Sequence, residues 1–308
     1  MIRKNSTHTL RNFLLIFRDA LNELLKNDPL RMAGATAFFT TFALPPILVI
    51  LIQTLKFILN PATVRSQLFN RLSELVGPEA VQQLMDVLLA LRKMANNTWI
   101  TIGGFIFLLF VATTLFKVIK SSLNQLWKIR PEDKQGFVKG LGARAQSVAM
   151  ILVAGLLFVT GLFVEGLQAF VGRFIFEVSP ILSFYFNTVL NYFFSVIIVT
   201  LWFAIVFRFL PDGRPAWRVS FTGGFLTAIL FTIGKIILHL LLTYSNINTL
   251  YGTSASIVLL LLFVFYSALI LYYGAAFTKV WAIYKGDPIR PLPHAIHYRL
   301  IESEVEKS

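Results

Sequence analysis

The sequence predicts an all-α polytopic membrane protein, a bundle of six transmembrane helices with an amphipathic helix pair on the outer side. Three observations predict it. Hydrophobic residues make up 56% of the 308 against 14% charged, and mean hydropathy is +0.71, well outside the soluble range. Six apolar stretches each hold the roughly 20 residues that cross about 30 Å of hydrocarbon. Under that topology 21 of the 28 Lys and Arg fall on one side, which makes that side cytoplasmic and places both termini there. The formal charge of +13 is thereby explained by topology, without a nucleic-acid partner.

Residues 1–31 form the first unit. Leu10, Phe13, Leu14, Phe17, Leu21 and Leu24 recur at helical spacing, with Arg11, Arg18 and Asn22 opposite. Such a basic amphipathic helix either lies on the cytoplasmic leaflet or packs on its own protein, and Asp28-Pro29 ends it. Charges interrupt every apolar run of this start, so no cleavable leader is expected.

Residues 32–284 form the membrane domain. The first span, 33–55, carries Pro45-Pro46 near its centre, where missing N–H groups weaken the helix, read here as a structural kink or a hinge. Residues 60–97 are broken by Gly77-Pro78 and keep apolar periodicity among charges, which predicts the outer amphipathic pair. In the second span, 99–123, Thr114, Lys117, Ser121 and Asn124 share one face. They line a cavity open to the cytoplasm, unless Lys117 and Lys120 simply reach the headgroups.

The third span, 145–170, aligns Ala154, Gly161, Glu165 and Gln168. The fourth, 185–207, ends at Arg208 before the tight turn Pro211-Asp212-Gly213-Arg214-Pro215. The fifth, 219–242, holds Lys235 close to its middle with His239 four residues on. Gly224, Ala228 and Thr232 continue that stripe. A cation at membrane depth costs several kcal/mol unless it finds a partner or a wet cavity, and Glu165 at roughly similar depth is the candidate partner. The sixth span is 255–283, and residues 285–308 read as a short polar cytoplasmic tail. Two sets of three spans, and the similar Thr101-Ile102-Gly103-Gly104-Phe105 and Thr222-Gly223-Gly224-Phe225, hint at an inverted repeat.

Several segments together resemble one family. AGATAFFTTFALPPIL at 33–48, SLNQLW at 122–127, RFLPDGRPAWRVSFTGG at 208–224, and YGTSAS with LYYGAAFTKV at 251–280 resemble the YihY/BrkB-type inner-membrane family, historically labelled ribonuclease BN. The resemblance implies a multi-pass inner-membrane protein, with lipid or solute export as the conjectured activity. An acidic residue often occupies in that family the place held here by Ala276, so any ion-coupling role of that carboxylate is absent from this chain.

The ribonuclease label has no support in the residues. RNA hydrolysis needs paired carboxylates with a metal, or histidines as general acid and base. The histidines are His8, His239, His294 and His297, the three outside the membrane lying in terminal segments without a carboxylate cluster, and there is no cysteine. No catalytic residue, metal site or cofactor is expected, and no P-loop occurs. The leading expectation is a transporter or flippase-like exporter of an anionic or amphiphilic, even lipid, substrate. Lys235 supplies the binding charge, His239 and Glu165 tune it, Lys117, Ser121 and Asn124 form the entry, and Pro45-Pro46 flex. The other reading is a non-transporting scaffold for envelope proteins. The expected partners are the bilayer, its anionic lipids among them, and further copies of the chain or envelope proteins.

Overall fold

The computed structural model describes residues 6–55, 57, 60–94, 98–132, 137–178, 180–244 and 255–299, though not every side chain within them. The outer loop expected at 244–253 and the last nine residues lie almost wholly outside them. The chain is all-α. Six long helices make the bundle: α2 (Pro29–Leu55), α5 (Thr98–Trp127), α6 (Phe137–Val178), α7 (Pro180–Phe209), α8 (Trp217–Tyr244) and α9 (Ala255–Tyr284). Five of them, all but α5, carry described stretches long and apolar enough to cross a membrane. α5 has similar length, 30 residues, and packs in the same bundle against α2. In hydrocarbon only such internally bonded backbone is tolerated, so a multi-pass location follows from composition and helix length together.

The helices close on one another. α9 packs on α2 and α8, α7 on α8 and α6, and α6 returns to α2 and α5. α6 is 42 residues long, about 63 Å at 1.5 Å per residue, so it extends well beyond the 145–170 span that hydropathy marks. α2 runs as one helix through Pro45 and Pro46, both buried. Their rings leave the carbonyls of Thr41 and Phe42 without helical donors.

Helix α1 (Ser6–Leu25) packs on its own protein. Ile16 and Ala20 are buried against Phe277 of α9, and the Lys279 ammonium meets the Glu23 carboxylate at 2.7 Å. Asn27 closes α1 by donating to the Glu23 carbonyl at 2.7 Å, and Asp28 follows with φ 52°. At the other end α3 (Pro61–Val76) and α4 (Pro78–Met94) are separated by Gly77 at φ 88°, a backbone angle that glycine adopts without steric cost. Phe69, Ala80 and Val81 of this pair pack with Ala37 and Leu48 of α2 and Leu260 and Val264 of α9.

Part of the segment expected as a short polar tail forms strands. β1 (Ile129–Pro131) pairs antiparallel with β4 (Ala295–His297), and β2 (Gly213–Arg214) with β3 (Arg290–Pro291). The tail therefore straps the loop after α5 and the α7–α8 turn.

Close backbone approach sets the α7–α8–α9 wall. A Cβ on Gly224 would lie 2.8 Å from both the Thr200 carbonyl oxygen and the Ala204 nitrogen of α7. Gly223 takes the Thr278 side chain of α9, and Gly274 takes Thr227 of α8. Each threonine hydroxyl is bonded within its own helix at 2.7 Å, Thr227 to Gly223 and Thr278 to Gly274. The two helices are thus locked by the same Gly–Thr exchange in both directions, as expected where lipid provides no hydrophobic push and packing must hold helices together. Gly224→Ala should cost about 1–3 kcal/mol of overpacking, read as a lower Tm in detergent. Gly166→Ala, where nothing lies within 4 Å, should leave Tm unchanged or slightly raised.

Candidate functional site

The most connected polar group among the described residues is one that sequence reading passed over as a turn residue. Asp212, in the α7–α8 turn, has a side chain only 4% exposed, with the Lys120 ammonium of α5 at 2.7 Å from Oδ1. Asn124, one helical turn further along α5, donates from Nδ2 to Asp212 Oδ2 at 2.8 Å and accepts the Asp212 N–H at 2.8 Å. His294 Nε2 from the C-terminal strap lies 3.1 Å from Oδ1, and the Asp212 carbonyl accepts the Leu292 N–H at 2.8 Å. Gln146 of α6 accepts from Lys120 at 3.3 Å and donates to the carbonyls of Phe209 and Leu210 at the end of α7. Four parts of the chain meet at one carboxylate.

Burial alone raises the Asp212 pKa, but the hydrogen bonds from Lys120 and His294, the Lys120 charge and the Asn124 bond together outweigh it. The net pKa lies below the ordinary Asp value. A charged acceptor with several donors is the arrangement that favours the ionised form.

A second polar node sits beside it. Lys279 also donates to the Leu126 carbonyl at 2.8 Å, Lys128 to Asn27 Oδ1 at 2.8 Å, and the buried Trp127 indole to the Ala275 carbonyl at 3.0 Å. The Lys128 pKa is lowered, chiefly by burial and then by the Lys279 charge.

One sequence expectation is corrected here: Lys120 pairs with Asp212 instead of reaching headgroups. The terminal His294 meets the single carboxylate of Asp212, and among the described residues no group of three metal-ligating side chains forms.

The predicted site residues are dispersed. Lys117 and Ser121 are exposed while Asn124 is buried on Asp212. The stripe therefore does not act as one lining, because its last residue is used structurally. Lys235 is half-buried. It lies 18 residues into the 28-residue α8, just past mid-helix on the α3–α4 side, and has no ion-pair partner among the described residues. The side chains of Glu165 and His239 are not among those described. Their helices, α6 and α8, both pack principally on α7.

A cavity of about 450 Å³ lies at membrane depth between all six long helices, within the usual range for ligand pockets. Phe158, Trp202 and Phe231 wall it, and Thr36, Thr40 and Ser267 bring hydroxyls to it. Those hydroxyls bond carbonyls of their own helices, so each retains acceptor capacity. None of the sequence candidates whose side chains are described lines this cavity. Lys235 sits one helical turn past Phe231, on the same side of α8. A larger cleft of about 630 Å³ opens between α3 and α4, with Phe69, Val81 and Met85 in its wall and Arg65 at its rim.

Comparison with known proteins follows the same pattern. The profile of the family described as "Virulence factor BrkB" matches residues 20–295. The chain belongs to the BrkB family. A "UPF0761 membrane protein" of Alcanivorax borkumensis is 22% identical over 94% of this chain and 65% of its own length. One from Mannheimia succiniciproducens is 22% identical over 83% of the chain and 85% of its own, and one from Chromohalobacter salexigens 26% over 86% and 63%. The chain thus spans just under two thirds of the length of two of these relatives. No solved structure matches.

In this BrkB-family chain the segments that carry the resemblance converge. SLNQLW supplies Asn124 and Trp127, RFLPDGRPAWRVSFTGG supplies Asp212 and Gly224, and LYYGAAFTKV supplies Ala275 and Lys279. AGATAFFTTFALPPIL brings Thr36, whose hydroxyl meets that of Tyr272 at 2.5 Å.

Asp212→Ala leaves the partly buried Lys120 without its counter-charge and should cost up to about 3 kcal/mol, the low end for a buried pair, read as a fall in Tm. Because the folded pKa is depressed, the Asp212 contribution is complete above the unfolded value of about 4 and is lost as pH falls through the lower folded value. Tm followed from pH 7 down to pH 3 should therefore drop more steeply below about pH 4 in the wild type than in Asp212→Asn.

Proposed function

We propose that this BrkB-family protein is a transporter or flippase-like exporter that carries an anionic amphiphile through the intramembrane cavity, without catalysing a chemical change. The single observation that carries the reading is the cavity of about 450 Å³ at membrane depth, apolar in its walls and hydroxyl-bearing on α2 and α9. A water-soluble ion would find no charge among the described lining residues to replace its hydration, whereas an acyl or isoprenoid body loses nothing on entering. Lys235, one turn past Phe231, supplies the charge for an anionic headgroup at the cavity's α3–α4 end, with His239 and Glu165 in the same half of the bundle. Pro45 and Pro46, beyond Thr40 on α2, provide the point at which that wall yields against the stiffer α7–α8–α9 wall. Lys117 and Ser121 stand at the opposite, cytoplasmic end, with the inner membrane as the location.

The scaffold reading has one observation in its favour, the fully strapped end of the bundle at Asp212, which presents a fixed surface to soluble partners.

The deciding experiment reconstitutes the protein in vesicles that contain tail-labelled fluorescent phosphatidylglycerol and follows leaflet exchange by chemical quenching. Wild type should exchange lipid faster than protein-free vesicles, and Ala268→Trp, which fills the cavity, should return the rate to that of empty vesicles. Lys235→Ala should abolish exchange of the anionic lipid while the protein remains inserted and folded. A Lys235→Met protein with wild-type rates would remove Lys235 from the site. Equal rates for wild type and Ala268→Trp would favour the scaffold.

A further inference from the structure

We propose that the α7–α8 turn and the C-terminal ribbon form a seat for the phosphate headgroup of an anionic phospholipid, in the leaflet at the strapped end of the bundle. The proposal is independent of whether the cavity transports anything.

Its first support is a like-charge pair. In the β2–β3 ribbon Arg214 lies directly opposite Arg290, and both are exposed. Directly opposed residues of an antiparallel pair project to the same face with Cβ atoms about 5 Å apart, where equal charges destabilise the pairing. Among the described residues neither arginine has a carboxylate partner. The nearby Asp212 is turned inward to Lys120 and His294, and Asp287 forms no ion pair with Arg290. Two exposed guanidinium groups facing each other across this short ribbon form a place where an anion relieves their repulsion.

The second support is depth. Phe209 and Trp217 are the terminal residues of two apolar spans, 192–209 and 217–238, so this turn sits at the hydrocarbon boundary, where tryptophan is favoured. Their rings meet edge to face at 5.7 Å and remain about 40% exposed. Arginines flank the pair on both sides, Arg214 over Phe209 at 6.0 Å and Arg208 over Trp217 at 4.6 Å. Arg208 is held in place by donating from Nη1 to the Pro215 carbonyl, and its buried Nε–H has no hydrogen-bond partner. Guanidinium forks match phosphate oxygens two at a time, and the exposed rings offer the first segment of an acyl chain a surface. A freely diffusing anion would use the arginines alone. A lipid uses both halves of the patch, and that decides for the phospholipid.

The test measures Tm of the full chain in nonionic detergent, alone and with added phosphatidylglycerol, phosphatidylcholine or inorganic phosphate. Phosphatidylglycerol should raise the wild-type Tm by about 3 °C more than phosphatidylcholine. Arg214→Gln and Arg290→Gln should match or exceed wild type without lipid, since each relieves the facing charges, yet lose most of the phosphatidylglycerol increment. Arg214→Lys should keep part of it, and serves if a glutamine variant fails to fold. Arg130→Gln, exposed on the other ribbon, should keep all of it. An increment retained in both glutamine variants, or lost equally in Arg130→Gln, would reduce the effect to general surface attraction and overturn the seat. Glutamine variants less stable than wild type without lipid would overturn the charge-repulsion argument. Phosphate alone reproducing the increment would overturn the lipid assignment in favour of a free anion.

Discussion

The structure depends on one buried carboxylate. Asp212 stands at the point where α5, α6, the α7–α8 turn and the C-terminal strap come together, and each contributes a donor or a carbonyl to the same network. Its side chain is enclosed by partners that are all polar, so any helix displaced at this end leaves a charge or an amide unpaired at the edge of the bilayer. That penalty is larger than any single apolar contact in the region. The end of the bundle is accordingly held by chemistry, whereas the membrane core is held by shape.

The shape term is visible in α8. Its glycines admit α7 at backbone distance on one side and Thr278 of α9 on the other, and Gly234 receives the ring of Tyr266 in the same way. A wall built so tightly moves as a unit. The opposite side of the cavity is lined from α2 and α6, and α2 is the helix with two missing backbone donors. Stiffness and compliance are therefore placed on facing sides of the same cavity, with the polar network below and the α3–α4 pair above.

Much of the architecture was legible in the chain. Span existence, the Gly77 break between the amphipathic helices and the end of α1 before Pro29 follow from hydropathy and backbone chemistry, which act locally. The site was less legible for a physical reason. An intramembrane Lys is conspicuous because its cost is local, so Lys235 stood out. Asp212 sits in a turn rich in turn-forming residues, and its partners Lys120 and His294 lie 92 and 82 positions away, so nothing short-range distinguishes it from an ordinary turn aspartate. Asn124 was singled out on the correct face but for a different use, since periodicity gives a residue's direction and not its partner. The cavity was invisible because Thr36, Thr40 and Ser267 are ordinary residues for membrane helices. The pairing of the tail with two loops was missed because strands of two or three residues have no periodicity to read.

The order of the residues around Asp212 has a consequence for biogenesis. Lys120 and Asn124 emerge from the ribosome first, Asp212 about ninety residues later, and His294 and Leu292 only after α9 is complete. Until the strap is made, the carboxylate is open to water on one side and the facing loops are unpaired. The closure of this node is thus a chemical record that α2 and α5 to α9 have been synthesised and seated, and a chain interrupted before the strap displays a half-satisfied charge cluster at the membrane surface.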